Sequence, residues 1–272
     1  MSVHPQQPKD KDKDKDKDKD LALENDLPEI IQKIRVRTPA RLLMGRAGTS
    51  YRTSTQIELR EAHAAARDAV RAELDLQTDF APAFLAGWNL FEVCTNAATK
   101  DEYLLRPDLG RHFSEGARSQ ILQRCRAHSD LQIAIGDGLS VTAARAQVPE
   151  LLPLLIDGAK KRSWTVGQPF VVRHCRVGIL NQIGELLSPK VAVLLIGERP
   201  GLATAESLSA YMAYQPTQSH TDADRNLISN IHARGVSPDE AARRILDLAA
   251  QMIATRKSGY TLREQRLSLG EP

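Results

Sequence analysis

Cysteine is scarce in this chain: Cys94, Cys125 and Cys175 are the three in 272 residues. They are odd in number, widely spaced and without a C-x-x-C partner. That excludes a disulfide framework and points to reduced thiols in a cytoplasmic protein. No apolar stretch approaches the roughly 20 residues that cross a bilayer, and the N-terminus lacks the apolar core of a secretory signal, so no membrane association is expected. The seven histidines are scattered, with none at H-x-x-x-H spacing, so no protein-held metal is expected. An excess of one charge is also missing: 37 Lys and Arg oppose 34 Asp and Glu, for a net charge of +3. A polyanion-binding arm would be one-signed, and no nucleic-acid partner is expected. There is no G-x-x-x-x-G-K-[ST] phosphate loop and no G-x-S-x-G nucleophile elbow. Gly136-Asp-Gly-Leu-Ser half-resembles a dinucleotide fingerprint, but Val141 replaces its third glycine. An independent nicotinamide oxidoreductase is therefore disfavoured.

What is present divides unevenly. Residues 9–20 repeat Lys-Asp without a break. In a helix, like charges would face each other at i and i+4, and no apolar side chain offsets the ordering entropy. Residues 1–27 are expected to form a disordered, charged tail. Gly45 and Gly48 then mark a loop. Thr55-Gln-Ile-Glu matches a capping box, and Leu59, Ala62, Ala66, Ala69 and Val70 predict a helix to about Leu74. A second helix is expected over about Ser114–His128. Residues 28–115 thus read as a helical N-terminal domain with no convincing strand.

From Asp130 the texture changes. Strands are expected at Leu131–Ile135, Gln168–His174, Val191–Ile196 and Ser207–Tyr214, and helices at Pro149–Arg162 and Ile179–Leu187. Ser237-Pro-Asp-Glu opens a last helix with an N-cap hydroxyl, a proline at the first position and acids at the positive end of the dipole. Strands separated by helices imply βαβ units. The expected fold is α/β: a helical N-terminal part followed, over residues 116–272, by a Rossmann-like, helix-covered, mainly parallel sheet.

The most telling run is Val191–Leu202. A continuously apolar, β-branched stretch fits a strand buried on both faces, and it stops at Gly-Glu-Arg-Pro-Gly. Ligands of open α/β sheets sit beyond the carboxyl ends of such strands. The expected strand-end loops are Gly136–Ser140, Cys175–Gly178, Gly197–Gly201 and Asp222–Asn230. They carry Asp137, Ser140, Glu198, Arg199, Glu206, Arg225 and Asn226. This both-signed, polar rim suits a large, mostly neutral ligand bearing amides better than a polyphosphate. Helix caps and turn residues account for the same positions equally well.

Met44-Gly-Arg-Ala-Gly, Leu105-Arg-Pro-Asp-Leu-Gly-Arg, Gly136-Asp-Gly-Leu-Ser, Gln182-Ile-Gly-Glu-Leu, Leu195-Ile-Gly-Glu-Arg-Pro-Gly-Leu, Ala205-Glu-Ser-Leu-Ser and Asp224-Arg-Asn-Leu-Ile-Ser-Asn-Ile-His resemble, in order, the small subunit of ethanolamine ammonia-lyase. The resemblance runs from about Thr38 to about Arg263. It implies an adenosylcobalamin-dependent radical lyase that converts ethanolamine to acetaldehyde and ammonia. In that family a large TIM-barrel subunit holds the substrate, and the small subunit completes the cobalamin site at the interface. The resemblance carries Val177, Glu198 and Leu227 over as cofactor-binding residues. Leu227 stands where better-known members have Cys, so a packing contact survives and a thiol role does not. No catalytic residue is carried over, and the chain alone is expected to be inactive. The D-x-H-x-x-G signature of base-displacing cobalamin proteins is absent, so the resemblance implies that the cofactor keeps its own base on cobalt. It further implies a higher oligomer of heterodimers, in some members packed into bacterial microcompartments through an N-terminal amphipathic helix. Leu27–Ile34 is short for such a helix. A scaffold or assembly subunit without cofactor contacts is the alternative.

Overall fold

In this computed structural model, residues 29–37, 41, 44 and 46–264 are described. The Lys-Asp tail lies outside them. The described residues fall into two compact units that divide after Tyr51. The first holds helix α1 (Glu29–Arg37) and a small antiparallel hairpin, β1 (Arg46–Ala47) and β2 (Ser50–Tyr51).

The second unit is built on six strands: β3 (Glu92–Cys94), β4 (Leu131–Gly136), β5 (Phe170–Arg173), β6 (Val191–Gly197), β7 (Leu208–Tyr214) and β8 (Asn226–Ile231). Their order across the sheet is β3-β5-β4-β6-β7-β8. The first four are mutually parallel; β7 runs antiparallel to β6, and β8, antiparallel to β7, returns to the direction of the first four. The expected α/β class, with a mainly parallel and helix-covered sheet, is what the chain adopts.

The helices follow from where apolar side chains must go. The odd-numbered residues of β6 (Val191, Val193 and Leu195) face α7 (Val141–Lys161) and α9 (Pro238–Thr255) in one core. Ala192, Leu194 and Ile196 face α6 (Glu115–Arg124) and α8 (Ile179–Leu187) in the other. A strand covered on both sides has no solvent face, which is why its sequence shows no alternation. Before β3 come α2 (Thr53–Arg71), α3 (Leu76–Asp79) and α4 (Pro82–Trp88), and α5 (Lys100–Leu105) follows it.

Four expectations change at the level of elements. First, α7 begins at Val141, not Pro149. Ser140 caps it by accepting the Ala143 N–H at 3.3 Å, and Pro149 and Pro153 lie inside the helix. Burial of Val141, Ala143, Ala144 and Val148 against the sheet outweighs what the prolines cost. Second, Glu92–Cys94 is a strand paired with β5. At three residues it is too short to show a period. Third, residues 226–231 form the edge strand β8 instead of a rim loop. Fourth, the Thr55–Glu58 capping box is not used, because α2 starts at Thr53 and Thr55 is buried within its first turn.

Candidate functional site

At the carboxyl ends of β4, β5 and β6 lies an open cleft of about 190 Å³. Val177, Leu139 and Ile196 give it apolar walls, and Arg176, Glu198, Arg199, Ser209 and Tyr211 give it polar edges. Its shape depends on two glycines. Gly138 has φ +57°, and a Cβ there would stand 2.3 Å from the Gly197 carbonyl oxygen. A Cβ on Gly197 would stand 2.0 Å from the carbonyl oxygen of Ser140. The turn after β4 therefore presses directly on the end of β6.

Beneath the cleft a buried charge fixes the loop after β5. Asp137 is fully buried, and its carboxylate accepts the N–H groups of His174 at 2.9 Å and Cys175 at 2.8 Å. The Lys100 ammonium lies 3.7 Å away and donates to the Gly138 carbonyl at 3.3 Å. The Tyr103 hydroxyl donates to the Cys175 carbonyl at 3.0 Å. Burial, reinforced by Asp137, pushes that phenol well above its ordinary range, so it remains a neutral donor. The Arg176 guanidinium lies 4.1 Å from the centre of the Tyr103 ring and donates to the Tyr103 carbonyl at 3.0 Å. Its Nε is buried without a hydrogen-bond partner. These contacts place Val177 on the cleft wall, where α8 begins. Burial also raises the Cys175 thiol well above its ordinary value, which makes it inert packing.

Glu198 stands at the lip and is held from three sides. Its Oε2 accepts the Ser207 hydroxyl at 2.8 Å, and its Oε1 accepts the Ser209 hydroxyl and the Asn230 N–H, the latter at 3.1 Å. Its own N–H donates to the Ser207 carbonyl at 3.0 Å. One carboxylate thus ties the ends of β6, β7 and β8 together. A carboxylate offers about four lone-pair positions, so about one is left for an outside donor.

The fold separates the remaining sequence candidates. Val177 and Glu198 share the cleft. Leu227 does not line it, but pairs across the ladder with Tyr211, which in turn pairs with Leu194. Directly paired residues share a sheet face. Leu227, 46% exposed, therefore continues the cleft's face outward over the edge strand. Arg199 is exposed at the lip. Asp137 and Ser140 are buried supports, and Ser140 donates to the Ala205 carbonyl at 2.5 Å. Glu206 is exposed outside the cleft.

Arg225 and Asn226 sit elsewhere, since Asn226 pairs with Met212 well away from the carboxyl end of β6. Arg225 is ion-paired to Asp222 and donates to Asn181 at 2.9 Å. Asn226 binds the backbone of Gly259 and Leu262. Their expected place on the rim is therefore corrected: both are clasps of the chain itself. Sequence reasoning missed Tyr103, Lys100, Ser209 and Tyr211. The alternation of Ser209 and Tyr211 with Leu208 and Ala210 is a signal that could have put Ser209 and Tyr211 on the cleft's face. For the other two no local signal existed. Among the described residues no group of three or more His, Cys, Asp or Glu side chains could hold a metal ion, and no helix is long and apolar enough to cross a membrane.

Comparison with known proteins adds the following. The sequence profile of the ethanolamine ammonia-lyase light-chain family matches residues 28–263. The chain is 40% identical over 235 residues to the ethanolamine ammonia-lyase small subunit of Clostridium acetobutylicum, covering 86% of this chain and 95% of that protein. It is 41% identical over 235 residues to the small subunit of Clostridium perfringens, covering 86% and 78%. Against that of Clostridioides difficile it is 41% identical over 230 residues, covering 85% and 76%.

Proposed function

The chain belongs to the ethanolamine ammonia-lyase light-chain family, and from that premise we propose that it closes one side of a cobalamin site whose remainder lies on the large subunit. The reaction is the conversion of ethanolamine to acetaldehyde and ammonia. Adenosylcobalamin, when bound, supplies the radical chemistry; the chain's own residues bind, orient and exclude water. The observation that carries this reading is that Val177 and Glu198 line one cleft at the carboxyl ends of β5 and β6, where open α/β sheets hold ligands.

The residues fit such a group. A cleft of about 190 Å³ is too small to engulf a corrin and large enough for one edge of it. Val177, Ile196 and Leu139 offer apolar contact to the ring, and Leu227 extends that surface. Glu198 can accept an N–H from the amide fringe through its remaining lone pair, and Arg176 has a buried Nε still to be satisfied. His174 is only 2% exposed, with its Nδ1 on the Ala97 carbonyl at 2.9 Å. That supports a cofactor that keeps its own base on cobalt. In this reading residues 116–272 carry most of the cofactor contacts, residues 28–115 help to dock the partner, and the complex is a cytoplasmic higher oligomer of heterodimers.

Titration of the assembled complex with adenosylcobalamin, followed by corrin absorbance, tests it. Replacing Glu198 by Ala is expected to raise Kd about tenfold or more, since a charge-assisted hydrogen bond contributes roughly 1.5–3 kcal/mol. Unchanged affinity would remove Glu198 from the site. The three intramolecular bonds of Glu198 favour one other reading, an assembly subunit without cofactor contacts. Equal cobalamin affinity of the large subunit with and without this chain would establish that instead.

A further inference from the structure

We infer that Ser209 and the bulged Asn230 are positioning residues for Glu198, and that the irregular pairing of β7 with β8 exists to aim this carboxylate into the cleft. The inference rests on the reading of the cleft as half of a cobalamin site. The register carries it. Leu208 pairs with Ile231 and Ala210 with Ile228, so between these pairs one residue of β7 stands against two of β8. Ser229 and Asn230 together oppose Ser209, which is a β-bulge. Asn230 sits at φ +62°, the left-handed region that asparagine tolerates better than most residues.

Because of the bulge, the Asn230 N–H leaves the ladder and reaches Glu198 Oε1 at 3.1 Å. Ser209, on the cleft's face of β7, donates to the same oxygen. The turn behind is fixed too. The Asn230 carbonyl accepts the Val236 N–H at 2.8 Å, and the Asn230 side-chain oxygen accepts from His232 Nε2 at 2.8 Å. His232 Nδ1 accepts the Arg234 N–H at 3.2 Å, which leaves the proton on Nε2. Gly235 lets the turn close: a Cβ there would lie 2.3 Å from the Asn230 carbonyl oxygen. With three lone-pair positions of Glu198 filled from known directions, the direction of the fourth is set by the protein and not by the ligand. An acceptor oriented beforehand binds an amide donor without losing side-chain freedom on binding.

A double-mutant cycle on the assembled complex tests this, with Kd for adenosylcobalamin read from corrin absorbance. Ser209→Ala is expected to raise Kd about three- to tenfold in an otherwise wild-type chain, the size of one hydrogen bond. In a Glu198→Ala background it is expected to have no further effect, because a residue acting through Glu198 is silent once Glu198 is gone. Asn230→Gly, which keeps a positive φ open, is expected to retain affinity, whereas Asn230→Val, whose β-branch disfavours that φ, is expected to lose it. If the Val variant does not fold, the Ser209 cycle and the Gly variant decide. An unchanged Kd for Ser209→Ala, or an effect that adds fully to that of Glu198→Ala, would overturn the positioning role alone. An unchanged Kd for Glu198→Ala would instead overturn the reading of the cleft.

Discussion

At the scale of single residues, the site is held up by groups that never touch its opening. Asp137 is the clearest. Its two backbone acceptor bonds fix the loop that carries Val177, and its charge faces Lys100 in a buried environment. Asp137→Asn leaves the ammonium without its counter-charge and sets an amide N–H against a backbone N–H. The expected cost is about 3–5 kcal/mol of stability, read as a lower urea midpoint. His232 gives a pH dependence. Burial, with Arg234 next in weight, lowers its pKa below the ordinary 6.5, against smaller opposing effects of Glu198 and Glu206. The unfolded chain therefore takes up this proton first. The contribution to stability is complete above about pH 6.5 and is lost as pH falls from there through the lowered folded value. His232→Gln keeps a donor for Asn230 and an acceptor for Arg234 without titrating. Between pH 8 and 5.5 the wild type is expected to lose more stability than this variant in parallel thermal melts.

Among the site candidates, the place of Glu198 at the end of β6 was legible because it follows an apolar strand directly, whereas Val177, four residues beyond β5, was named by the family resemblance and not by its own local pattern. Lys100 and Tyr103 could not be found, since both come from a helix that reaches the cleft only through tertiary packing. Arg225 and Asn226 looked like rim residues because a short polar edge strand has the composition of a loop.

At the scale of elements, the contest is between local preference and burial. Ile179–Leu187 is a helix in sequence and in structure because its apolar face and its boundaries agree. In α7 they disagree. Pro149 marks a start by local rules, but the preceding eight residues bury Val141, Ala143, Ala144 and Val148, and burial prevails. Ser140 then has two tasks, capping α7 and tethering Ala205 beside the Glu198 clasp. Gly184 shows how tightly α8 sits: a Cβ there would stand 1.8 Å from the Pro216 carbonyl oxygen, an atom of the backbone that cannot rotate away. Gly184→Ala is expected to cost at least the 1–3 kcal/mol typical of overpacking, seen as a fall in melting temperature, although alanine is the better helix former.

At the scale of the whole molecule, the cleft is open, its lip is tied to the end of the edge strand β8 through Glu198, and Leu227 is half-exposed nearer the start of that strand. A corrin edge seated there would leave most of the ring uncovered, which a partner must close. The isolated chain is therefore expected to form no acetaldehyde from ethanolamine with adenosylcobalamin present, and addition of the large subunit is expected to give turnover. Product formed by the lone chain, assayed with an aldehyde dehydrogenase, would contradict the half-site.

The sequence by itself determined the class of fold, the buried central strands, the capped last helix and the place of Glu198, because each rests on contacts within a few residues or on composition that burial on two faces demands. Only the tertiary structure decided the rest. The order of strands, the recruitment of Glu92–Cys94, the passage of α7 through two prolines and the clasp on Glu198 all join residues far apart in the chain. Their free energy comes from packing and from bonds across strands, and no local pattern records those.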